Sequence, residues 1–321
     1  MSSASKIAWD DTILPFQLDR SNIRGRVVRL DATMDEILKQ HSYPAPVQAL
    51  VADAVLLTAL IGQAIKLRWR LSLQVRGNGP VTMIATDFFA PKETGGPAEI
   101  RAWASFDPDA VPDVSDDPFT LLGSGVFGVL IDQGPDMRPY QGITPIAGGS
   151  LSTCAATYFA QSEQLPTHFV LGAALASEPG QAPGWRAGGV MIQQVPKSNQ
   201  PIETDGDSED GLLTAGDILD GDEAEDWNRT KVLLDTVELT ELIGPHVPSQ
   251  SLLVRLFHEE SPRVFDPVAI RFGCTCSRGK VENVISQYTE SEKIDATDEK
   301  GLITADCQFC GKRYEFDPKN I

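Results

Sequence analysis

The sequence predicts an α+β protein with a large N-terminal domain of antiparallel sheet and packed helices, a helical linker, and a small C-terminal four-cysteine domain. Three observations predict this architecture. A stretch of about twenty residues after Pro46 is apolar with few interruptions, which is typical of a buried helix. From Arg70 onward, short apolar runs are separated by Gly-containing turns, which is typical of paired strands. Four of the five cysteines follow residue 273, which indicates a separate C-terminal unit.

The first elements are a strand and two helices. Residues 23–30 mix apolar and polar side chains as a strand does, and Thr33 and Glu36 stand at the spacing of a capping box, which predicts a helix start. Pro44 and Pro46 end this helix and begin the next, because proline fits the first turn of a helix. We expect the second helix to form the centre of the core.

The rest of the large domain is predicted from runs of strand-forming residues between turn signals. Strands are expected at 71–75, 81–89, 99–106, 125–132, 168–175 and 189–195. Short turns join the first three, so these should form an antiparallel meander. A helix is expected at 150–160, where Cys154 lies among alanines and is interpreted as a small buried residue with no part in metal binding.

An acidic segment separates the large domain from the linker. Residues 203–226 contain eleven acidic residues and no basic one. Such a segment repels itself, so we predict an N-terminal domain at 1–200, a flexible insertion at 201–226 and a helical linker at 227–273. The linker should contain helices at 227–243 and 249–257. Apolar residues form two stripes on the first of these, so it needs cover on two sides.

The four cysteines of the predicted domain 274–321 have the layout of a metal site. Cys274 and Cys276 form a C-x-C pair, Cys307 and Cys310 form a C-x-x-C pair, and the spacer between the pairs is long enough for a helix and a turn. Four thiolates are a donor set that zinc prefers, so we expect one zinc ion per chain. Two structural disulfides are the alternative, and they would require an oxidising compartment. A domain as short as this one seldom folds unaided, so metal should supply folding free energy.

Composition and charge exclude several classes of function. The net charge of −18 and the lack of a Lys/Arg cluster argue against binding of nucleic acid or an anionic membrane. The first residues lack an apolar run of signal-peptide length, so we expect a cytoplasmic protein in which thiols stay reduced. Neither a phosphate-binding loop nor a catalytic histidine motif is present, and we therefore expect that the protein is not an enzyme.

The cysteine motifs resemble those of the heat-shock protein 33 family, the redox-regulated chaperonins that act as holdases in bacteria. Cys276 is followed directly by Ser277 and Arg278, and the segment after Cys310 closes with Tyr314 and Phe316. Further segments similar to the family lie at 25–26, 28–30, 41–44, 140–142, 162–167, 187–189 and 193–196. The resemblance covers nearly the whole chain. The acidic insertion is longer than the join in the family, so the resemblance assigns it no role.

The resemblance implies an ATP-independent chaperone that is regulated by oxidation. In the reduced state zinc is bound by Cys274, Cys276, Cys307 and Cys310, and the protein is largely inactive. Oxidation forms the disulfides Cys274–Cys276 and Cys307–Cys310, releases zinc and loosens the C-terminal region. The exposed surface then binds unfolding client proteins, and the active form is a homodimer. Each disulfide joins cysteines close in sequence, so it leaves the spacer untethered and cannot replace the metal site.

Two other functions remain open from the sequence. One is a zinc-dependent regulator that binds nucleic acid or a protein partner, for which affinity falling steeply with salt would be the sign in the nucleic-acid case. The other is a thiol oxidoreductase that uses Cys307 and Cys310, although the second cysteine pair and the lack of a thioredoxin-like context disfavour it.

Overall fold

One large sheet runs through the structure, a computed structural model that describes residues 9–177, 182–195 and 221–321. Its strands are β1 (Thr12–Leu18), β2 (Ile23–Leu30), β3 (Arg70–Gly77), β4 (Val81–Phe89), β5 (Ala98–Phe106), β6 (Gly125–Asp132), β7 (Tyr140–Pro145), β8 (Thr167–Ala176), β9 (Gly184–Gln194), β10 (Pro262–Val264) and β11 (Val268–Phe272). They lie in the order β7-β6-β3-β4-β5-β11-β1-β2-β9-β8, with β10 paired to β1. The predicted α+β class is confirmed, and so is the antiparallel meander of β3, β4 and β5.

The helices lie on both faces of the sheet and in the C-terminal domain. They are α1 (Ala32–Lys39), α2 (Ala45–Ala64), α3 (Leu151–Tyr158), α4 (Gly221–Asp235), α5 (Leu239–Ile243), α6 (Ser249–Phe257), α7 (Arg278–Ile285) and α8 (Glu290–Asp295). A hairpin of β12 (Ile303–Asp306) and β13 (Arg313–Phe316) completes the C-terminal domain. Helices α1, α2 and α3 contribute to the larger hydrophobic core with one face of the sheet.

Helix α2 is the core helix that the apolar stretch predicted. Along the parts of the chain that the structure describes, it alone is long and apolar enough to cross a membrane, yet 78% of its most apolar 18-residue window is buried inside the protein. Val51, Val55 and Leu57 are fully buried in it. Its side chains therefore pack against protein on nearly every side, which explains why its apolar residues show no single stripe.

The capping box predicted at Thr33 is wrong. Helix α1 already begins after Asp31, so Thr33 lies inside its first turn. The Thr33 hydroxyl donates to the carbonyl of Ile270 in β11 at 3.3 Å, and the Thr33 amide donates to the Asp11 carboxylate at 3.0 Å. The Asp11 carboxylate also accepts from the amide of Asp31 at 3.0 Å, so a side chain twenty residues earlier takes the place of the local cap.

Strands β1 and β7 were not predicted, and Pro15 explains the first omission. A proline inside an apolar run argues against a strand because it cannot donate a hydrogen bond to the ladder. In the structure β1 pairs with β11 through Thr12 and Ile13 and with β10 through 16–18. Pro15 lies between these two pairings, so its missing N–H interrupts neither.

The linker differs from the prediction in two ways. The predicted helix 227–243 is broken into α4 and α5, and its buried face in α4 is the single stripe of Trp227, Thr230 and Leu234, while Val232 is 64% exposed. After α6, which matches the prediction, the chain returns to the large sheet as β10 and β11 rather than continuing as an independent linker. Residues 201–220 of the predicted insertion 201–226 lie outside the described residues, and 221–226 belong to α4.

Candidate metal centre

Two loops bring the four cysteines together at the edge of the C-terminal domain. Cys274 and Cys276 follow β11, and Cys307 and Cys310 occupy the turn between β12 and β13. In that turn the Cys307 amide donates to the carbonyl of Lys312 at 2.9 Å, and the amide of Gly311 donates to the carbonyl of Cys307 at 2.8 Å. Gly311 has φ 63°, a left-handed conformation that glycine adopts without strain. The turn therefore points both sulfur atoms towards the C-x-C segment.

The sulfur atoms are spaced as a tetrahedral metal site requires. The Sγ atoms of Cys274 and Cys307 are 3.6 Å apart, those of Cys276 and Cys310 are 3.5 Å apart, and all four lie within 4.8 Å of one another. Four thiolates at about 2.3 Å from one zinc ion would be separated by roughly 3.8 Å. The four predicted residues thus form one cluster that fits a metal ion.

All four sulfur atoms are free thiols, and the separations of 3.6 Å and 3.5 Å each join a cysteine of one motif to a cysteine of the other. The disulfides Cys274–Cys276 and Cys307–Cys310 stay predictions about the oxidised protein.

The surroundings tune the acidity of the cysteines unequally. Burial raises the pKa of Cys274 and of Cys310. At Cys276 burial also acts to raise the pKa, but the Tyr314 hydroxyl, which donates to its sulfur at 3.2 Å, and the neighbouring thiols outweigh burial and lower the pKa to about 7. A lower pKa favours the thiolate, which is the form of cysteine that binds metal.

The C-terminal domain has a very small hydrophobic core of its own. The fully enclosed members are Ile285, Ile303, Tyr314 and Phe316, and Cys276 packs against them. So few buried side chains cannot offset the conformational entropy of ordering the whole segment 274–321. A metal ion held by the four cysteines would add folding free energy to this segment.

A buried arginine of the large domain contacts the cysteine cluster. Arg101, in β5, donates to Cys274 Sγ at 3.6 Å and to the Thr275 hydroxyl at 3.2 Å, and it stacks on Phe309 at 4.0 Å. On its other side it makes an ion pair with Asp87 at 2.6 Å. Sequence reasoning missed both charged residues, because their meeting depends on the register of two strands, which no local pattern reports.

Cys154 lies apart from the cluster, as predicted. It is 1% exposed in the larger core, its thiol donates to the carbonyl of Ala147 at 3.2 Å, and burial raises its pKa. We expect Cys154→Ser to retain the full metal content, measured as zinc per chain in freshly purified reduced protein. A zinc content that fell in this variant while its circular dichroism spectrum stayed unchanged would show that Cys154 takes part in the site.

Comparisons with known proteins match nearly the whole chain. A family model described as Hsp33 protein matches residues 11–317, which include all four cysteines of the cluster. A protein of Caulobacter vibrioides (strain NA1000 / CB15N) named 33 kDa chaperonin is 38% identical over 314 residues, covering 96% of this chain and 95% of the relative. A 33 kDa chaperonin of Azotobacter vinelandii is 33% identical over 307 residues, covering 95% and 91%.

A solved structure shows the same fold. The crystal structure of a 33 kDa chaperonin, an Hsp33 homologue from Thermotoga maritima, superposes with a TM-score of 0.73 at 20% sequence identity and covers 96% of both chains. The overall fold is therefore shared with a protein whose sequence has diverged widely.

Proposed function

We propose, since this chain belongs to the Hsp33 family of chaperonins, that it is an ATP-independent holdase switched on by oxidation. In the reduced state Cys274, Cys276, Cys307 and Cys310 hold one zinc ion, which supplies folding free energy to residues 274–321. Oxidation takes two electrons from each cysteine pair to form Cys274–Cys276 and Cys307–Cys310, with peroxide, for example, reduced to water. The zinc ion leaves, and the C-terminal region and linker loosen. The active form is a homodimer that binds unfolding proteins in the cytoplasm.

The observation that carries this proposal is an apolar sheet face that the linker covers. On the face of β1, β2 and β9 opposite α2, a second hydrophobic cluster joins the large domain to α4, α5 and α6. Its sheet residues are Leu14, Phe16, Leu18, Ile23, Val27, Val190 and Ile192. Its helix residues are Trp227, Leu234, Leu242, Leu252, Leu253, Leu256 and Phe257. Release of the linker would expose both sets, and such surfaces bind apolar segments of unfolding proteins.

Two buried arginines hold the middle of the linker on the sheet. Arg29, which is 1% exposed in β2, donates to the carbonyls of Leu242, Val247 and Glu241. Arg186 in β9 donates to the carbonyl of Ile243 at 3.2 Å. These carbonyls lie at and just beyond α5, where unpaired helix carbonyls carry partial negative charge. The linker is therefore fastened by specific polar contacts as well as by apolar burial.

The chain leads from the covered face directly to the metal centre. After α6, strand β11 inserts between β5 and β1, and Cys274 follows its last residue, Phe272, by two positions. Strand β11 makes a parallel pairing with β5 and an antiparallel one with β1. This short path is the physical route by which loss of the metal centre would loosen the linker.

The test is amide hydrogen exchange of the reduced, zinc-loaded protein compared with protein treated with peroxide and with a zinc chelator. We expect exchange to rise at 278–316 and in helices α4 to α6, while helix α2 stays protected, because local opening follows the loss of local stabilisation. Aggregation of an unfolding client is measured on the same samples by light scattering. Uniform exchange across the chain, or linker helices as protected as α2 after zinc loss, would contradict the proposal.

A further inference from the structure

Arg101 joins the large domain to both cysteine motifs. Its guanidinium contacts Cys274 and Thr275 of the C-x-C segment and the ring of Phe309, which lies between the two cysteines of the C-x-x-C motif. We propose that Arg101 is a positioning residue that docks the metal-loaded C-terminal domain on the large sheet and strengthens the metal centre through Cys274. This inference rests on the proposed metal centre and adds the residue that couples that centre to the rest of the fold.

The register of three strands fixes the position of Arg101 independently of the C-terminal domain. Ser72, Asp87 and Arg101 are direct cross-strand neighbours on β3, β4 and β5. The Ser72 hydroxyl donates to one carboxylate oxygen of Asp87, and Arg101 donates to the other from Nε at 2.8 Å and from a terminal nitrogen at 2.6 Å. A guanidinium that is already held in this way loses little conformational entropy when it binds a further group.

Strand β11 places Cys274 beside this guanidinium. Its parallel pairing aligns Phe272 with Ile100, and the amide of Gly273 then donates to the carbonyl of Ile100 at 3.0 Å. A Cβ atom at Gly273 would lie 2.7 Å from the side chain of Glu99, so glycine lets the chain pass close to β5. Cys274 therefore enters the cluster directly beside Arg101.

Burial and charge make these contacts stronger when the four cysteines hold a metal ion than when they do not. Arg101 is 9% exposed and Asp87 is 5% exposed, so neither charge is well solvated. Four thiolates around a divalent ion keep a net negative charge, and hydrogen bonds from a cation to such a sulfur are stronger than those between neutral groups. Partners that donate to metal ligands typically change metal affinity by about 10- to 100-fold when they are removed.

Arg101→Met tests the inference, with Arg271→Met as the matched control. Arg271 lies on β11, is 62% exposed at its side chain and pairs with Glu99 at 2.7 Å, so its loss removes an arginine near the centre without touching a cysteine. Zinc affinity is measured by competition with a chromophoric chelator, and docking by ¹⁵N relaxation of residues 278–316. We expect Arg101→Met to bind zinc about 10- to 100-fold more weakly and its C-terminal domain to tumble independently. Arg271→Met should match wild type in both measurements.

Phe309→Ala provides a second test from the other side of the contact, because it leaves the Asp87–Arg101 pair intact if Arg101→Met does not fold. Phe309→Ala should also weaken docking. The effects of the two substitutions should be less than additive, because both remove the same contact between Arg101 and Phe309. A wild-type protein that binds no zinc would refute the metal centre itself. If Arg101→Met folds and still has the zinc affinity and docking of wild type, the inference about Arg101 is refuted and the metal centre is not. If Arg101→Met does not fold, the same result in Phe309→Ala refutes the inference.

Discussion

Replacing Cys307 and Cys310 together by serine is expected to leave only weak zinc binding and to produce a chaperone that holds clients to some degree under reducing conditions. The two substitutions remove half of a donor set whose sulfur atoms all lie within 4.8 Å of one another. Structural zinc supplies on the order of 10 to 16 kcal/mol of folding free energy in small domains at neutral pH. The small core of the C-terminal domain cannot replace that amount, so the domain should unfold and the linker should lose its support.

The measurement compares light scattering of a chemically unfolded client in the presence of reduced wild type and of the reduced double variant at equal concentration. Cys154→Ser is the control for loss of a cysteine outside the cluster, and it should behave as reduced wild type. If the double variant has lost zinc and its C-terminal order yet protects the client no better than reduced wild type, then unfolding alone does not activate the protein. The disulfides themselves would then be required.

Phe257→Ala is expected to activate the protein while zinc stays bound. Phe257 on α6 is 1% exposed and stacks on Phe16 of β1 with ring centroids 6.1 Å apart. Truncating a buried phenylalanine to alanine costs about 3 to 5 kcal/mol. A loss of this size at the contact between α6 and the sheet lowers the equilibrium ratio of molecules with a covered sheet face to molecules with an uncovered one by more than about a hundredfold. The four cysteines are unchanged, so the metal centre should remain intact.

Val254→Ala on the same helix is the matched control, because Val254 is 55% exposed and contributes little to the covered face. Zinc content, amide exchange in α6 and suppression of client aggregation are measured for both variants in reducing buffer. Phe257→Ala should keep one zinc per chain, exchange faster in α6 and hold clients, whereas Val254→Ala should match wild type. An inactive Phe257→Ala whose α6 exchanges freely would mean that the face beneath the linker is not where clients bind.

Much of the fold could be predicted because its signals are local. Helix α2 followed from a long run of consecutive helix-forming residues. Helix α6 was predicted before the prolines at 262 and 267, and both helices lie where they were predicted. The meander followed from strands joined by short turns, whose pairing needs little information beyond chain order. Several elements that were missed or misjudged depend on distant partners: β1 with Pro15, the start of α1, and the strands β10 and β11 in a segment predicted as helical linker. Strand β7 was missed although its partner β6 immediately precedes it in the chain.

The sequence by itself determined the members of the cysteine cluster and the α+β class, because ligand spacing and hydrophobic periodicity are properties of neighbouring residues. Tertiary structure alone decided that β11 joins β5 to β1 just before Cys274, and that α4 to α6 cover an apolar face of the sheet. It also decided that Arg101 of the large domain, paired with Asp87, contacts the cluster. The physical reason is that strand register and helix docking are fixed by contacts between residues far apart in the chain, and the free energy of each such contact depends on all the others being formed.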